Sequence, residues 1–433
     1  MIKLLFTLLI ITYSLSAQID KSSYYSYGES LYSEVIELPN SKPDSSRIVV
    51  LVKAANEVLN FKKVKDGPNF GKYFGMLSVE ILFKHESGIV KKRVQIQDTV
   101  LFDSYEKTLS KSIFVEGYTE VLLARDEYNV EIEFDIKENS YLNKKSHKLE
   151  LNDAPMLYTP LLLNTSRSDV YTELNPFILN QTISFDAKGT KVIIPANSLD
   201  ESNYTFTFTK KKNLRNSPLK WDEKNEVSGI CNVINSVDFQ FNSNYVNVNF
   251  DLKRNKSFST LDIDIPGVKI LPGVYQLLIS KNNQEIKSFE INIDWTNRPI
   301  SLNKLSYAVE MMKYMASEQD IETLSDSDDM PLDFLTYWKP RDPTPTTPFN
   351  EAIQQYYERV DFAFFNFKTI SESDGADTDR GKIFILKASP SEVVEEFIDN
   401  RTLIVWKYPT LKKEYVFELI GAGDYRLVEI KEI

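Results

Sequence analysis

Residues 76–97 read MLSVEILFKHESGIVKKRVQIQ, and their rhythm decides the fold of the N-terminal part of the chain. Val79, Ile81 and Phe83 alternate with polar residues, Ser87 and Gly88 turn the chain, and Val90, Val94 and Ile96 return. Successive side chains of an extended strand point to opposite faces, so this alternation predicts a hairpin with one buried and one wet face. Upstream, IVVLV at 48–52 supplies an apolar strand, and downstream YNVEIEFDIKE at 128–138 repeats the period through Val130, Ile132, Phe134 and Ile136. Regularly spaced strands of this kind predict an antiparallel immunoglobulin-like β-sandwich over residues 47–153. The polar residues 18–46, with KSSYYSYGES and PNSKPDSS, read as an N-terminal strand or arm leading into it.

NDAPMLYTP at 152–160 reads as a linker. A second sandwich is predicted over 154–295, carried by YTFTFT at 204–209, by VDFQFNSNYVNVNFDL at 237–252 and by LPGVYQLLISKNNQEIKSFEINIDW at 271–295. The last segment has the rhythm of the two closing strands of an immunoglobulin-like sandwich.

Bulk properties bound the function. The 433 residues suggest about three domains. The net charge of −11 disfavours nucleic acid and non-specific binding to anionic lipid, which both need basic surface. MIKLLFTLLIITYSLSAQ at the start has a positive Lys3, an apolar run and small residues, the pattern of a signal peptide over 1–17, cleaved after Ser16 or Ala17. Export across an inner membrane to a periplasmic or outer-membrane-associated location is the expectation, with no membrane span in the mature chain. Cys231 is the only cysteine, so no internal disulfide forms and the fold rests on its cores.

After Arg298 the period switches. Leu302, Leu305, Val309, Met312 and Ala316 recur at helical spacing. A short helix through Leu332, Leu335 and Trp338 is expected to stop at Pro340, because proline removes a backbone donor and clashes with the preceding turn. Pro343, Pro345 and Pro348 each push their preceding residue out of the helical region, so 339–347 is expected to be an extended strap. Thr347 is expected to cap the next helix, FNEAIQQYYERVDFAFFNF at 349–367, with Pro348 in its first turn. Beyond it, KIFIL at 382–386 reads as a buried strand, Ser389 with Glu392 as a capping box opening a helix, and 402–408, 414–420 and 425–430 as strands. Residues 296–433 are therefore predicted to be an α+β domain, helices then β-α-β-β-β.

Three blocks resemble the GWxTD domain family of exported bacterial proteins. They are Trp338 with RDPTPTTPFNE at 341–351, GADTDRGKIFIL at 375–386, and VWKY at 405–408 with GAGDYRLV at 421–428. The family's tryptophan is Ala376 here, and the segment after KIFIL lacks the usual glycine. The resemblance implies compartment and architecture, with β-sandwiches upstream, but no established activity.

Chemistry is sparse. His85 and His147 are the only histidines, which argues against a nucleophilic triad or a zinc site. No Gly-rich phosphate loop is present, SDSDD at 325–329 lacks the glycine and distal glutamate of a calcium loop, and no cofactor or metal is expected. Both charge signs fall in the resembling blocks: Arg341, Asp342, Glu351, Glu358, Arg359, Asp379 and Arg380. Arginine forks match carboxylates two bonds at a time, so these seven are expected to form an ion-pair cluster. Arg341 or Arg359 would bridge strap, central helix and TDRG turn and clamp the last hundred or so residues into one body. Trp338 and Trp406 are candidates for lining an adjacent groove. The expectation is a non-catalytic interaction or assembly protein of the bacterial envelope, with an envelope protein or glycan as partner. The alternative is a carboxylate-dependent hydrolase acting on envelope glycan.

Overall fold

A computed structural model describes residues 30–110, 113–136, 143–167, 172–214, 217–244, 246–421 and 423–433. The expected signal peptide lies outside the described residues. The fold is β-rich, with the longer helices near the C-terminus. No described helix is long and apolar enough to cross a membrane.

The first module holds strands β1 (Leu31–Leu38), β2 (Ser45–Ala55), β3 (Phe61–Lys63), β4 (Tyr73–His85), β5 (Val90–Phe102), β6 (Phe114–Ala124), β7 (Glu127–Phe134) and β8 (Lys144–Glu150), with a single turn of helix, α1 (Tyr105–Thr108). One sheet runs β1-β2-β6, and the other runs β3-β4-β7-β8 with β5 beside β4. The alternation of the sequence appears as register: Leu77, Val79, Ile81 and Phe83 of β4 and Val130, Ile132 and Phe134 of β7 share one core with Ile48, Val50 and Val52 of β2. Burying each such side chain stabilises the fold by about 1.5–3 kcal/mol. The β4–β5 hairpin turns at Ser87–Gly88 as expected, with Gly88 at φ 83. Within the expected N-terminal strand or arm over 18–46, Leu31–Leu38 forms β1, which pairs with β2 along its whole length; residues 18–29 lie outside the described residues.

The second module comprises β9 (Leu161–Arg167), β10 (Thr172–Pro176), β11 (Thr182–Ser184), β12 (Gly189–Ala196), β13 (Tyr204–Lys212), β14 (Glu226–Ile230), β15 (Asn232–Asn244), β16 (Asn247–Pro266), β17 (Gly273–Lys281) and β18 (Gln284–Asp294). They form two sheets, β10-β9-β12-β16-β15 and β11-β18-β17-β13-β14. Asn282 and Asn283, at φ 50 and 67, make the two-residue turn between β17 and β18. Positive φ at both turn positions matches the twist of paired strands, and asparagine tolerates it.

The C-terminal part contains α2 (Leu305–Met311), α3 (Glu318–Ser325), α4 (Met330–Trp338), α5 (Glu351–Asn366), α6 (Asp379–Lys387), and β19 (Glu392–Ile398), β20 (Arg401–Tyr408), β21 (Lys413–Gly421) and β22 (Asp424–Glu432). Three expectations are corrected. KIFIL lies in α6, because Thr378 caps a helix there: its Oγ accepts the Gly381 N–H at 3.0 Å. The segment after Ser389 is strand β19 rather than a helix, and the four strands form a plain meander, β19-β20-β21-β22. The expected order β-α-β-β-β is thus one helix followed by four strands.

The strap is also different. Lys339–Arg341 forms a 3-10 turn, and Thr347 N–H bonds the Thr344 carbonyl at 3.0 Å, so 339–347 is folded into turns rather than extended. Asn350, not Thr347, caps α5, its Oδ1 accepting the N–H groups of Ala352 and Ile353. Its amide also donates to the Trp338 carbonyl at 3.1 Å, tying the end of α4 to the start of α5.

Compactness divides the described residues into two units: 300–321 with 357–433, and 30–299 with 322–356. The division falls inside α3 and α5, so neither unit coincides with the predicted α+β domain over 296–433. Residues 322–356 group with the β modules for a visible reason. Phe349 enters a herringbone of rings with Trp295 and Phe185, centroids 5.6 and 5.5 Å away, and Trp221 packs on Phe185 at 4.8 Å. The Trp295 indole donates to Gln354 at 2.7 Å, and Gln354 donates to the Asn297 carbonyl at 3.0 Å. Edge-to-face rings carry about 0.5–1.5 kcal/mol per pair beyond their burial.

Candidate functional site

The turn before α6 is a densely bonded polar node of the C-terminal unit. Asp374 is buried, and its carboxylate accepts the Ala376 N–H at 2.9 Å and the Tyr307 hydroxyl at 2.9 Å. Tyr314 donates to the Ala376 carbonyl at 2.8 Å, and Lys313 pairs with Asp377. Thr378 donates to the Gly375 carbonyl at 2.8 Å while capping α6, and Asp379 accepts the Leu427 N–H of β22 at 2.8 Å. Two glycines make this density sterically feasible. A methyl group on Gly375 would overlap the Ala363 carbonyl and lie 2.7 Å from the Lys368 nitrogen, and one on Gly381 would overlap the Gly375 carbonyl. The node thus joins the first helical segment, α5, α6 and the last strand.

Residues 273–421 match the family model of the GWxTD domain. The chain carries a GWxTD domain. Its signature positions Gly375, Ala376, Thr378 and Asp379 are this node. The match opens at Gly273, so it takes in β17 and β18, upstream of the boundary that the sequence pattern placed at 295/296. No curated protein matches the chain. Among solved structures, yellow lupin purple acid phosphatase PPD1 is similar at 11% identity and TM-score 0.17, over 60% of this chain and 41% of that one. Red sea bream transglutaminase gives 8% identity and TM-score 0.16, over 65% and 34%. The C-terminal domain of the antigen I/II-family protein AspA of Streptococcus pyogenes gives 8% and 0.15, over 61% and 99%. The chain therefore spans well under two thirds of the first two structures. Likenesses of this size carry no inference about the GWxTD chain.

The charged residues singled out in the sequence are not organised as an ion-pair lattice. Among the described residues no ion pair joins any two of Arg341, Asp342, Glu351, Arg359, Asp379 and Arg380. Arg341 is exposed, stacks on the Tyr337 ring at 4.0 Å and donates to the Tyr337 carbonyl at 2.7 Å. Asp342 accepts the Thr344 N–H at 2.8 Å, and Glu351 accepts the Thr344 hydroxyl. Arg359 reaches the Ile385 carbonyl at 3.4 Å, so it does link α5 to α6, but through a backbone acceptor. Arg380 lies over the rings of Tyr425 and Phe367, at 4.3 and 5.3 Å, and burial pulls it below its ordinary pKa. Glu358 lies on α5, one residue before Arg359. The physical reason for the difference is supply: backbone N–H groups, hydroxyls and ring faces stand closer to these charges than opposite charges do. Trp338 and Trp406 are both buried, and they fall in different units. Trp338 packs on Phe334 and Tyr356, and Trp406 packs on Phe367 and Phe417.

The end of α6 holds a residue in a conformation that favours glycine. Ala388 ends α6 at φ 65, ψ −163, a region that essentially only glycine occupies. Its N–H bonds the Phe384 carbonyl and its carbonyl accepts the Tyr408 hydroxyl, both at 2.8 Å, so the backbone is held in this conformation. The strain costs about 1–3 kcal/mol, against about 0.5–1 kcal/mol for the greater chain entropy of glycine. Ala388→Gly is expected to stabilise the protein by roughly 1 kcal/mol, read as a rise of a few degrees in Tm. An unchanged or lower Tm would show that the conformation is not strained.

Other polar centres were invisible in the sequence because their partners lie far along the chain. Between the two β modules, Glu34 is buried and accepts the N–H groups of Leu179 at 3.0 Å and Gln181 at 3.1 Å. Asn180 and Gln181, at φ 56 and 57, curl these amides onto it. Burial, the largest influence, pushes the Glu34 carboxyl up to about 7 despite the amide bonds and nearby Lys53. Arg47 forks onto Glu120 at 2.7 and 2.8 Å and reaches Asp238 at 2.8 Å. Glu116 pairs with Lys53 at 3.2 Å and accepts the Val248 N–H at 3.0 Å. These contacts fasten one module to the other.

Nucleophile candidates fare no better. His147 Nε2 lies 2.7 Å from Ser33 Oγ, but Ser33 is wholly buried and out of reach of a substrate. Cys231 is buried, and desolvation pushes its thiol up to about 12, far from a reactive thiolate.

Proposed function

We propose that the chain is an exported, non-catalytic interaction or assembly protein of the bacterial cell envelope. Its β modules act as immunoglobulin-like sandwiches that carry the GWxTD domain. One observation carries the reading: the carboxylates of the motif blocks are occupied. Asp342, Glu351, Asp374, Asp377 and Asp379 are each bonded to an N–H, a hydroxyl or a lysine. A general acid or base needs a proton to exchange with substrate, and carboxylates committed to capping and bridging are poorly placed to do so. The surface offers docking features instead. β19 is an edge strand whose Phe397 is 72% exposed, beside an exposed Val393. An unpaired strand edge with outward apolar side chains suits strand addition by a partner.

The test is a photo-reactive residue at Phe397 in living cells, with one at the exposed Ile370 as control. A discrete envelope-protein adduct is expected from 397 and none from 370. No adduct from 397, together with hydrolysis of envelope glycan that Glu351→Gln abolishes, would replace this reading with the hydrolase.

A further inference from the structure

The acidic chain has one basic, apolar face. On it β3, the following loop and the start of β4 carry Lys62, Lys65 and Lys72, with Asp66 the one acid of that segment, while Lys63 pairs with Tyr73, opposite Phe102, in a row of the other face. Register places Lys62 opposite Phe74, and Phe74 opposite Leu101 of β5, so the three form one row across three strands. Met76 and Thr99 make the next row of that face. The opposite face is the core: Phe61 and Phe102 pack against the first module's interior. The outward row is therefore committed to solvent, and Phe74, Met76 and Leu101 are all exposed on it. In the loop Phe70 is 72% exposed, and the exposed Lys65 and Lys72 lie five residues before it and two after it in the chain. The loop is built rather than slack. Gly67 and Gly71 take φ 77 and 84, Phe70 N–H bonds the Gly67 carbonyl at 3.0 Å, and Gly71 N–H bonds the Val64 carbonyl at 3.0 Å.

A soluble fold gains nothing by holding a phenylalanine in water in an ordered turn. Exposed aromatic residues and exposed lysines on one segment match one surface chemically: the headgroup region of an anionic bilayer, where rings enter the acyl boundary and ammonium groups meet phosphates. We propose that this face docks the protein peripherally onto an anionic phospholipid bilayer, with Phe70 inserted and Lys62, Lys65 and Lys72 on the headgroups. An acidic protein partner fits less well, because the exposed residues of this face are apolar as well as basic: Phe70, Phe74, Met76 and Leu101. Net charge alone argues against lipid binding; the local clustering reverses that conclusion for this face. The inference is independent of whatever the GWxTD domain binds.

The test is flotation of the full chain with vesicles of phosphatidylcholine alone or containing about one third phosphatidylglycerol, at low and high salt. Flotation with the anionic vesicles only, weakened by salt, is the expected result. Each lysine near the surface contributes about fivefold, so the triple variant Lys62→Glu, Lys65→Glu, Lys72→Glu should reduce partitioning by about a hundredfold or more. Phe70→Ser should reduce it by about tenfold. All these positions are exposed, so both variants should keep the parental Tm, which is measured alongside. Equal flotation with neutral vesicles, no flotation, or unchanged binding by a variant that keeps its Tm would overturn the proposal. Capture by immobilised polyglutamate without flotation would do the same and assign the face to an acidic protein.

Discussion

A Gly381→Ala variant is expected to lose about 3 kcal/mol or more of stability in the C-terminal unit, seen as a Tm roughly 10 °C or more below the parent. The sign is the informative part. Gly381 sits at the third position of α6, where helix propensity alone favours alanine by about 1 kcal/mol. The added methyl would overlap the Gly375 carbonyl and lie 2.9 Å from the Ala376 Cα. Those are backbone atoms, so no side chain can swing aside. Ala376 is itself wholly buried, and Gly375 is wedged against α5, so the node cannot give way. Lys382→Ala, at the next and exposed position, serves as control and should leave Tm nearly unchanged. A Gly381→Ala protein as stable as the parent would mean that the turn is not the keystone described here.

Stability should fall as pH rises from about 4.5 to 7, and Glu34→Gln should flatten that slope. The Glu34 carboxyl titrates at about 7 when folded and near 4.5 in the unfolded chain. Below the lower value both states hold the proton and the contribution is complete. Between the two values only the folded state holds it, so raising the pH draws the equilibrium toward unfolding. The full swing is about 3 kcal/mol. Other groups are shifted as well, among them His147, lowered by burial, and Glu37, raised by burial. The difference between parent and Glu34→Gln cancels them. Glutamine keeps the acceptor for the Leu179 and Gln181 amides, and the Gln181 side chain can turn its amide over to meet the new NH2. Chemical denaturation at several pH values reads the effect; parallel pH profiles for the two proteins would contradict it.

Much of the β architecture was legible, because period-two alternation encodes both strand and buried face. Where it was clean, as in β4, β7, β13 and β17, strands and core agree with the pattern, whereas in β5 Val90 is exposed next to a register shift. Legibility failed where two signals competed. In KIFIL, Ile383, Phe384 and Ile385 are consecutive and apolar, which suits a buried strand or a buried helix equally. The arbiter was Thr378, four residues upstream of Lys382, acting as helix cap. After Ser389, the Ser/Glu spacing imitated a capping box, whereas the decisive pair was Asp399–Asn400 at φ 51 and 62. That pair is the two-residue hairpin turn between β19 and β20. At the candidate site, the sequence marked the right segment but the wrong bonds. Charges can be counted in a sequence, but the carbonyls, amides and rings that meet them are set by tertiary placement. Glu34 shows the same limit from the other side, since its partners lie more than a hundred residues away.

The ring cluster of Phe185, Trp221, Trp295 and Phe349 bears on how such proteins can be recombined in evolution. A crossover just after Trp295 would deliver Phe349 and Gln354 to a new host lacking the indole and the aromatic socket they fit. Inheritance of a working C-terminal segment therefore requires its last β module to travel with it, and free permutation of its modules is closed to this chain.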